Sequence, residues 1–133
     1  MPRFQSKNAD IHYEVMGDGP PLMLIAGLAS DNASWGPVSP ILSRRFTLIM
    51  PNNRGAGRTK TAAALSIETM ADDCAALLDH LKIDRAHVLG HSMGGLIAMT
   101  LAVNAPGRIG KLVLAASCAT TPARAISVID NLL

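Results

Sequence analysis

The chain has 133 residues, of which 49% are hydrophobic, 17% charged and 3% aromatic, a balance that fits one globular domain and excludes the disordered, collagen-like and disulfide-scaffold classes. A net charge of +2 falls short of the basic excess that a phosphate-tracking surface needs, so nucleic acid is not an expected partner. No apolar stretch approaches the roughly 20 residues of a membrane-spanning helix, and no signal-peptide core follows Met1, so a cytoplasmic protein without a membrane partner is expected.

In chain order, Arg3 to Lys7 and Asp10 to Met16 read as strands, the second alternating apolar and polar residues up to the turn Gly17-Asp18-Gly19-Pro20-Pro21. Leu22 to Ala26 and Phe46 to Met50 are continuously apolar, as strands covered on both faces are. Between them Trp35, Val38, Ile41 and Leu42 recur at helical spacing, which predicts a short helix or turn. The clearest helix spans Ser66 to Leu81, with Ser66 as N-cap, Glu68 in the first turn, and Ile67, Met70, Cys74, Leu77, Leu78 and Leu81 on one stripe. Asp72, Asp73 and Asp79 are expected on the opposite, solvated side. His87 to Gly90 then reads as a strand, Met93 to Asn104 as a helix closed by Pro106, and Ile109 to Ala115 as a further apolar strand. This alternation predicts an α/β fold, a mostly parallel twisted sheet of about six strands with helices on both faces. Cys74 and Cys118 lack zinc-ligand spacing and are expected as free thiols; neither a metal nor a cofactor is predicted.

The chemistry-bearing motif is Gly90-His91-Ser92-Met93-Gly94-Gly95, a G-x-S-x-G run set between a predicted strand and a predicted helix. The turn is sharp enough that Ser92 is expected to take strained backbone angles, and side chains at 90 and 94 would collide across it, which glycine prevents. The hydroxyl then stands at the carboxyl end of the sheet, beside the free N–H groups and positive dipole end of the following helix.

Other readings of these residues are plainer. Ser92 could serve as an ordinary helix N-cap. His91 is adjacent to Ser92 and should point to the other face, as a hydrogen-bonded structural histidine. His80 and His87 sit at a helix end and a strand start. Gly55-Ala56-Gly57 lacks the third glycine of a phosphate loop, since position 60 is Lys, and Gly90, Gly94 and Gly95 do not meet the dinucleotide spacing.

From about Asp10 to Ala116 the chain resembles the α/β-hydrolase family, whose serine nucleophile elbow matches Gly90, His91, Ser92, Gly94 and Gly95. The resemblance implies Ser92 as nucleophile and an oxyanion hole made by the backbone N–H groups of Met93 and of Leu28, in the loop after the third strand. That loop usually begins His-Gly, whereas here it reads Ala26-Gly27-Leu28, so the bonds of the missing histidine must be replaced or done without. Asn52-Asn53-Arg54-Gly55-Ala56-Gly57-Arg58-Thr59 matches a loop signature of the family, with no catalytic role.

In this family the triad runs Ser, acid, His, yet His12, His80, His87 and His91 all precede Ser92, and Asp130 is the only acid after it. No triad acid or histidine is therefore assigned within the chain. Residues 1–116 are expected to form the N-terminal part of the hydrolase core, and 117–133 the start of a lid whose helix, begun near Pro122, stops uncapped. The strand at 109–115 would then be an exposed apolar edge, open to self-association or to a complementing chain. The expected function is a serine hydrolase acting on small-molecule carboxylic esters, lactones or related acyl substrates, weak or inactive alone. The alternative is a non-catalytic hydrolase-like module that binds a partner through the sheet edge.

Overall fold

The computed structural model of the protein describes residues 2–28, 30–57, 59 and 65–117. Strands β1 (Arg3–Ser6) and β2 (Ala9–Met16) form an antiparallel hairpin in which Arg3 faces His12 and Ser6 faces Ala9. Its two-residue turn, Lys7 and Asn8, takes φ of 37° and 65°, the left-handed pair that matches the twist of a tight hairpin. Strands β3 (Pro21–Ile25), β4 (Thr47–Pro51), β5 (Ala86–His91) and β6 (Ile109–Ala115) complete a six-stranded sheet of order β1-β2-β4-β3-β5-β6. The β2–β4 pair is antiparallel, and β4, β3, β5 and β6 run parallel, so the expected mostly parallel sheet is present.

Successive residues of the central strands face opposite layers. On one face Met23, Ile25, Ile49 and Val88 pack with Met70, Cys74, Leu77 and Leu78 of α2 (Ile67–His80) and Ile97, Ala98 and Leu101 of α3 (Met93–Asn104). On the other, Leu22, Leu24, Leu48 and Met50 pack with Trp35, which ends a 3-10 turn, Asn32–Trp35, ahead of the single-turn helix α1 (Ser39–Leu42). Ser66 caps α2 as expected, its hydroxyl oxygen accepting the Thr69 N–H at 3.0 Å. Among the described residues no helix is long and apolar enough to cross a membrane.

The three aspartates of α2 do not share one fate. Asp72 pairs with Lys7 and Asp79 with Arg108 near the surface, but Asp73 is 5% exposed and lies inside the protein. Arg54, 2% exposed, reaches it from the loop after β4, donating through Nε to Oδ2 at 2.8 Å and through Nη2 to Oδ1 at 2.9 Å. The Ser6 hydroxyl donates to Asp73 at 2.6 Å, and Arg54 Nη2 also reaches the Ser6 and Lys7 carbonyls. The expectation that Asp73 is solvated is thus corrected: a buried carboxylate is tolerated because a fork-shaped cation and a hydroxyl satisfy both its oxygens. The same hydrogen bond, helped by the Asp73 charge and opposed by burial, raises the pKa of the Arg54 guanidinium. Cys74, next along the helix, is a free, buried thiol whose pKa is pushed up to about 12 by burial and then by the Asp73 charge, so it stays protonated.

At the far edge, β6 leaves Leu112, Val113 and Leu114 exposed at 37%, 49% and 42%. Helix α3 carries Thr100 and Asn104 as its only polar side chains, and its Val103 is 80% exposed. Cys118 and the segment expected as a lid lie, apart from Ser117, outside the described residues.

Candidate active site

Chain direction sets the site. The parallel strands β3, β4 and β5 end together, so the loops after them converge at one end of the sheet. Ser92, between β5 and α3, has φ 55° and ψ −120°, a sparsely populated conformation that costs on the order of 1–3 kcal/mol for a residue with a side chain. Two backbone hydrogen bonds hold it there: its N–H donates to the Ala115 carbonyl at the end of β6, and its carbonyl accepts the Gly95 N–H, each at 2.9 Å.

The glycines make room for this turn, though not all as the sequence suggests. A Cβ on Gly90 would lie 2.3 Å from the Gly94 carbonyl oxygen, a collision across the turn. On Gly94 it would instead lie 2.0 Å from the Ile25 carbonyl oxygen, so Gly94 is small because α3 starts hard against the end of β3. On Gly95 it would meet Ser117 Oγ at 2.2 Å.

Ser92 does not act as a helix cap. Its side chain makes no capping hydrogen bond, unlike that of Ser66, and it is exposed. His91 departs from the expectation of a hydrogen-bonded structural ring: it is exposed, and its imidazole makes no hydrogen bond to another described residue. His91 is the last residue of β5, and a Cβ on Gly27 would lie 3.7 Å from its Nδ1, so the ring stands by the loop after β3. The other histidines are engaged elsewhere. His80 stacks on Phe4 at 5.2 Å, His87 accepts the Lys111 N–H on Nδ1 at 2.9 Å, and His12 lies in β2, separated from β5 by two strands.

The loop after β3 meets the elbow directly. A Cβ on Gly27 would lie 3.2 Å from Ser92 Cβ and 3.3 Å from the His91 carbonyl oxygen, so a side chain there would require the elbow to give by a few tenths of an ångström. Leu28 and Met93 both border one small cavity beside it. Among the described residues neither of their N–H groups has a hydrogen-bond acceptor, and that of Met93 is one of the free donors at the start of α3. Asn53 donates from Nδ2 to the Ala26 carbonyl at 3.0 Å, and so supplies a tie to the loop that carries no histidine.

The cavity has a volume of about 100 Å³ and reaches from Leu28 and Met93 to Ala56, Leu65 and Met70. Sequence reasoning placed Met70 only in the core stripe and assigned nothing to Leu65. A signal was present: around the Ser66 cap, Leu65 and Met70 hold the N′ and N4 positions of a hydrophobic staple. Arg58 and Lys60, in the stretch weighed as a phosphate loop, lie outside the described residues.

This arrangement has relatives. The family model for the alpha/beta hydrolase fold matches residues 20–132. RutD of Azorhizobium caulinodans, named as a carbamate hydrolase, is 37% identical over 115 residues, which are 86% of this chain and 43% of that protein. RutD of Caulobacter sp. strain K31 is 36% identical over 83% of this chain and 44% of that protein. The chain therefore spans less than half the length of these relatives. Among solved structures, a hydrolase from Pseudomonas aeruginosa PA01 superposes with a TM-score of 0.90 at 29% identity, covering 97% of this chain and 50% of that one. Est816, described as an N-acyl homoserine lactone degrading enzyme, gives 0.87 at 30% identity, over 98% of this chain and 52% of its own. The family match takes in four of the six strands and the whole of the elbow, and the chain belongs to the alpha/beta hydrolase fold family.

Proposed function

We propose that the chain is the nucleophile-bearing part of a cytoplasmic serine hydrolase acting on small-molecule carboxylic esters, lactones or related acyl compounds, carbamates included. The observation that carries the reading is Ser92 itself: an exposed hydroxyl on a strained turn, released from helix capping, beside two N–H groups without acceptors among the described residues. Strain of this size persists where surrounding bonds over-determine it, and such places are commonly sites of chemistry.

In the proposed mechanism Ser92 Oγ attacks the acyl carbon while a histidine takes its proton. The Met93 and Leu28 N–H groups hold the carbonyl oxygen as it becomes negative. The histidine returns the proton to the departing alcohol or amine, and water then releases the acyl group from Ser92 by the same route. The base and its acid come from polypeptide outside this chain, seated along the exposed edge of β6. Without them the rate falls steeply, since losing one triad member in the serine-protease template costs on the order of 10⁶.

The test is the intact mass of the chain after incubation with a fluorophosphonate, with Ser92→Ala alongside, each repeated in the presence of the second half of Azorhizobium RutD. One adduct, absent in Ser92→Ala and faster with the added half, is expected. Labelling that survives Ser92→Ala, or none even with a bound second half, overturns the nucleophile. The latter outcome, a complex without labelling, is what a non-catalytic module docking through the 109–115 edge would give.

A further inference from the structure

We infer that the cavity beside Ser92 is an acyl pocket, and that Leu65 and Met70 close its far end so that only short, uncharged acyl groups of about four non-hydrogen atoms enter. The inference rests on the proposed role of Ser92 for its chemistry, but its geometry stands separately.

Position comes first. The cavity is bordered by Leu28 and Met93, the residues whose N–H groups lack acceptors among the described residues. An oxygen held by those donors is one bond from the acyl carbon, so the substituent on that carbon starts at the mouth of the adjoining space.

Size is the second argument. A protein cavity of about 150 Å³ lined by apolar side chains accepts benzene, with six non-hydrogen atoms. At about 100 Å³, room remains for about four. The far wall begins with Leu65, which is 48% exposed and lies over Gly55, where φ is +78° and a Cβ would come within 3.3 Å of Leu65 Cδ1. Met70 is buried at the first turn of α2 and cannot swing outward as an exposed side chain could.

Charge is the third. Arg54 borders the cavity, and a free guanidinium there would favour a carboxylate. Its Nε and Nη2 are instead committed to Asp73 and to the Ser6 and Lys7 carbonyls. The buried cation is already matched by a buried anion, Asn53 spends its Nδ2 on the Ala26 carbonyl, and Leu28, Ala56, Leu65, Met70 and Met93 add only apolar side chains to the wall.

Two of the seven methionines line the cavity, which gives a readout that needs no catalysis. The chain labelled with 13C in its methionine methyl groups is titrated with acetamide, butyramide and octanamide, with Met70 and Met93 assigned by replacement with Leu. Acetamide and butyramide are expected to move both signals saturably, and octanamide to bind at least tenfold more weakly. Ala56→Leu fills the space and should abolish the shifts; Leu65→Ala opens the far wall and should bring octanamide to within a few-fold of butyramide. Equal binding of octanamide to the unaltered chain, no response to any amide, or a Leu65→Ala variant with unchanged preference would each overturn the inference. Methyl shifts without Ser92 labelling would reject the nucleophile and keep the pocket, and labelling without shifts would do the reverse.

Discussion

The loop after β4 and the turn after β5 leave the same end of the sheet, yet they treat their polar groups in opposite ways. Asn52, Asn53 and Arg54 are buried at 1%, 5% and 2% exposure, and they bond to the Asn32 N–H, the Ala26 carbonyl and the Asp73 carboxylate. His91 and Ser92 are exposed, with side chains that bond to no described residue, and Ser92 bears the backbone strain. A polar group buried in the first loop must be satisfied, because leaving it unpaired costs several kcal/mol. A group that is to do chemistry must stay unsatisfied until a ligand arrives. The first loop fixes the second: by tying Ala26 and α2 in place, it sets the Gly27 passage against which Ser92 is held.

The contrast can be broken from either side. Arg54→Met leaves Asp73 buried without its cation and should cost about 3–5 kcal/mol in urea unfolding. Arg54→Met combined with Asp73→Leu should recover most of that loss, because no charge is then stranded; a double variant as unstable as the single would show that the ion pair is not the reason. Gly94→Ala drives a methyl group into the Ile25 carbonyl and should cost up to about 3 kcal/mol, through displacement of α3 from β3. The smallest effect has the opposite sign. Ser92→Gly frees the turn from its strain and should raise stability by about 1 kcal/mol, with Ser92→Ala within about 0.5 kcal/mol of the parent chain. If Ser92→Gly destabilises, the turn is not strained in the sense its φ implies.

Much of this is legible in the sequence. Helix α3 and strand β6 fall on the residues read from the sequence, because Gly90 to Gly95 marks one boundary, Pro106 the next, and the apolar run from Ile109 the third. The hairpin of β1 and β2 and the Ser66 cap are equally local signals. What stayed hidden was pairing at a distance. Asp73 sits beside Cys74 at the margin of the apolar stripe, and its partner lies 19 residues earlier in a loop, a relation that helical periodicity does not encode. The same holds for Asn53 and Ala26, 27 residues apart, and for Gly94, whose limiting neighbour is the carbonyl of Ile25 on another strand.

The hydrogen bond from the Ser92 N–H to the Ala115 carbonyl has a mechanical consequence. Ala115 is the last residue of the strand that forms the apolar edge, so edge and elbow share an anchor. Anything laid along β6 that stiffens its end also stiffens the peptide carrying the hydroxyl, and fraying of that end lets the turn relax toward ordinary backbone angles. Assembly at the edge is thereby geared to the posture of Ser92, some distance from where the new strand would bind.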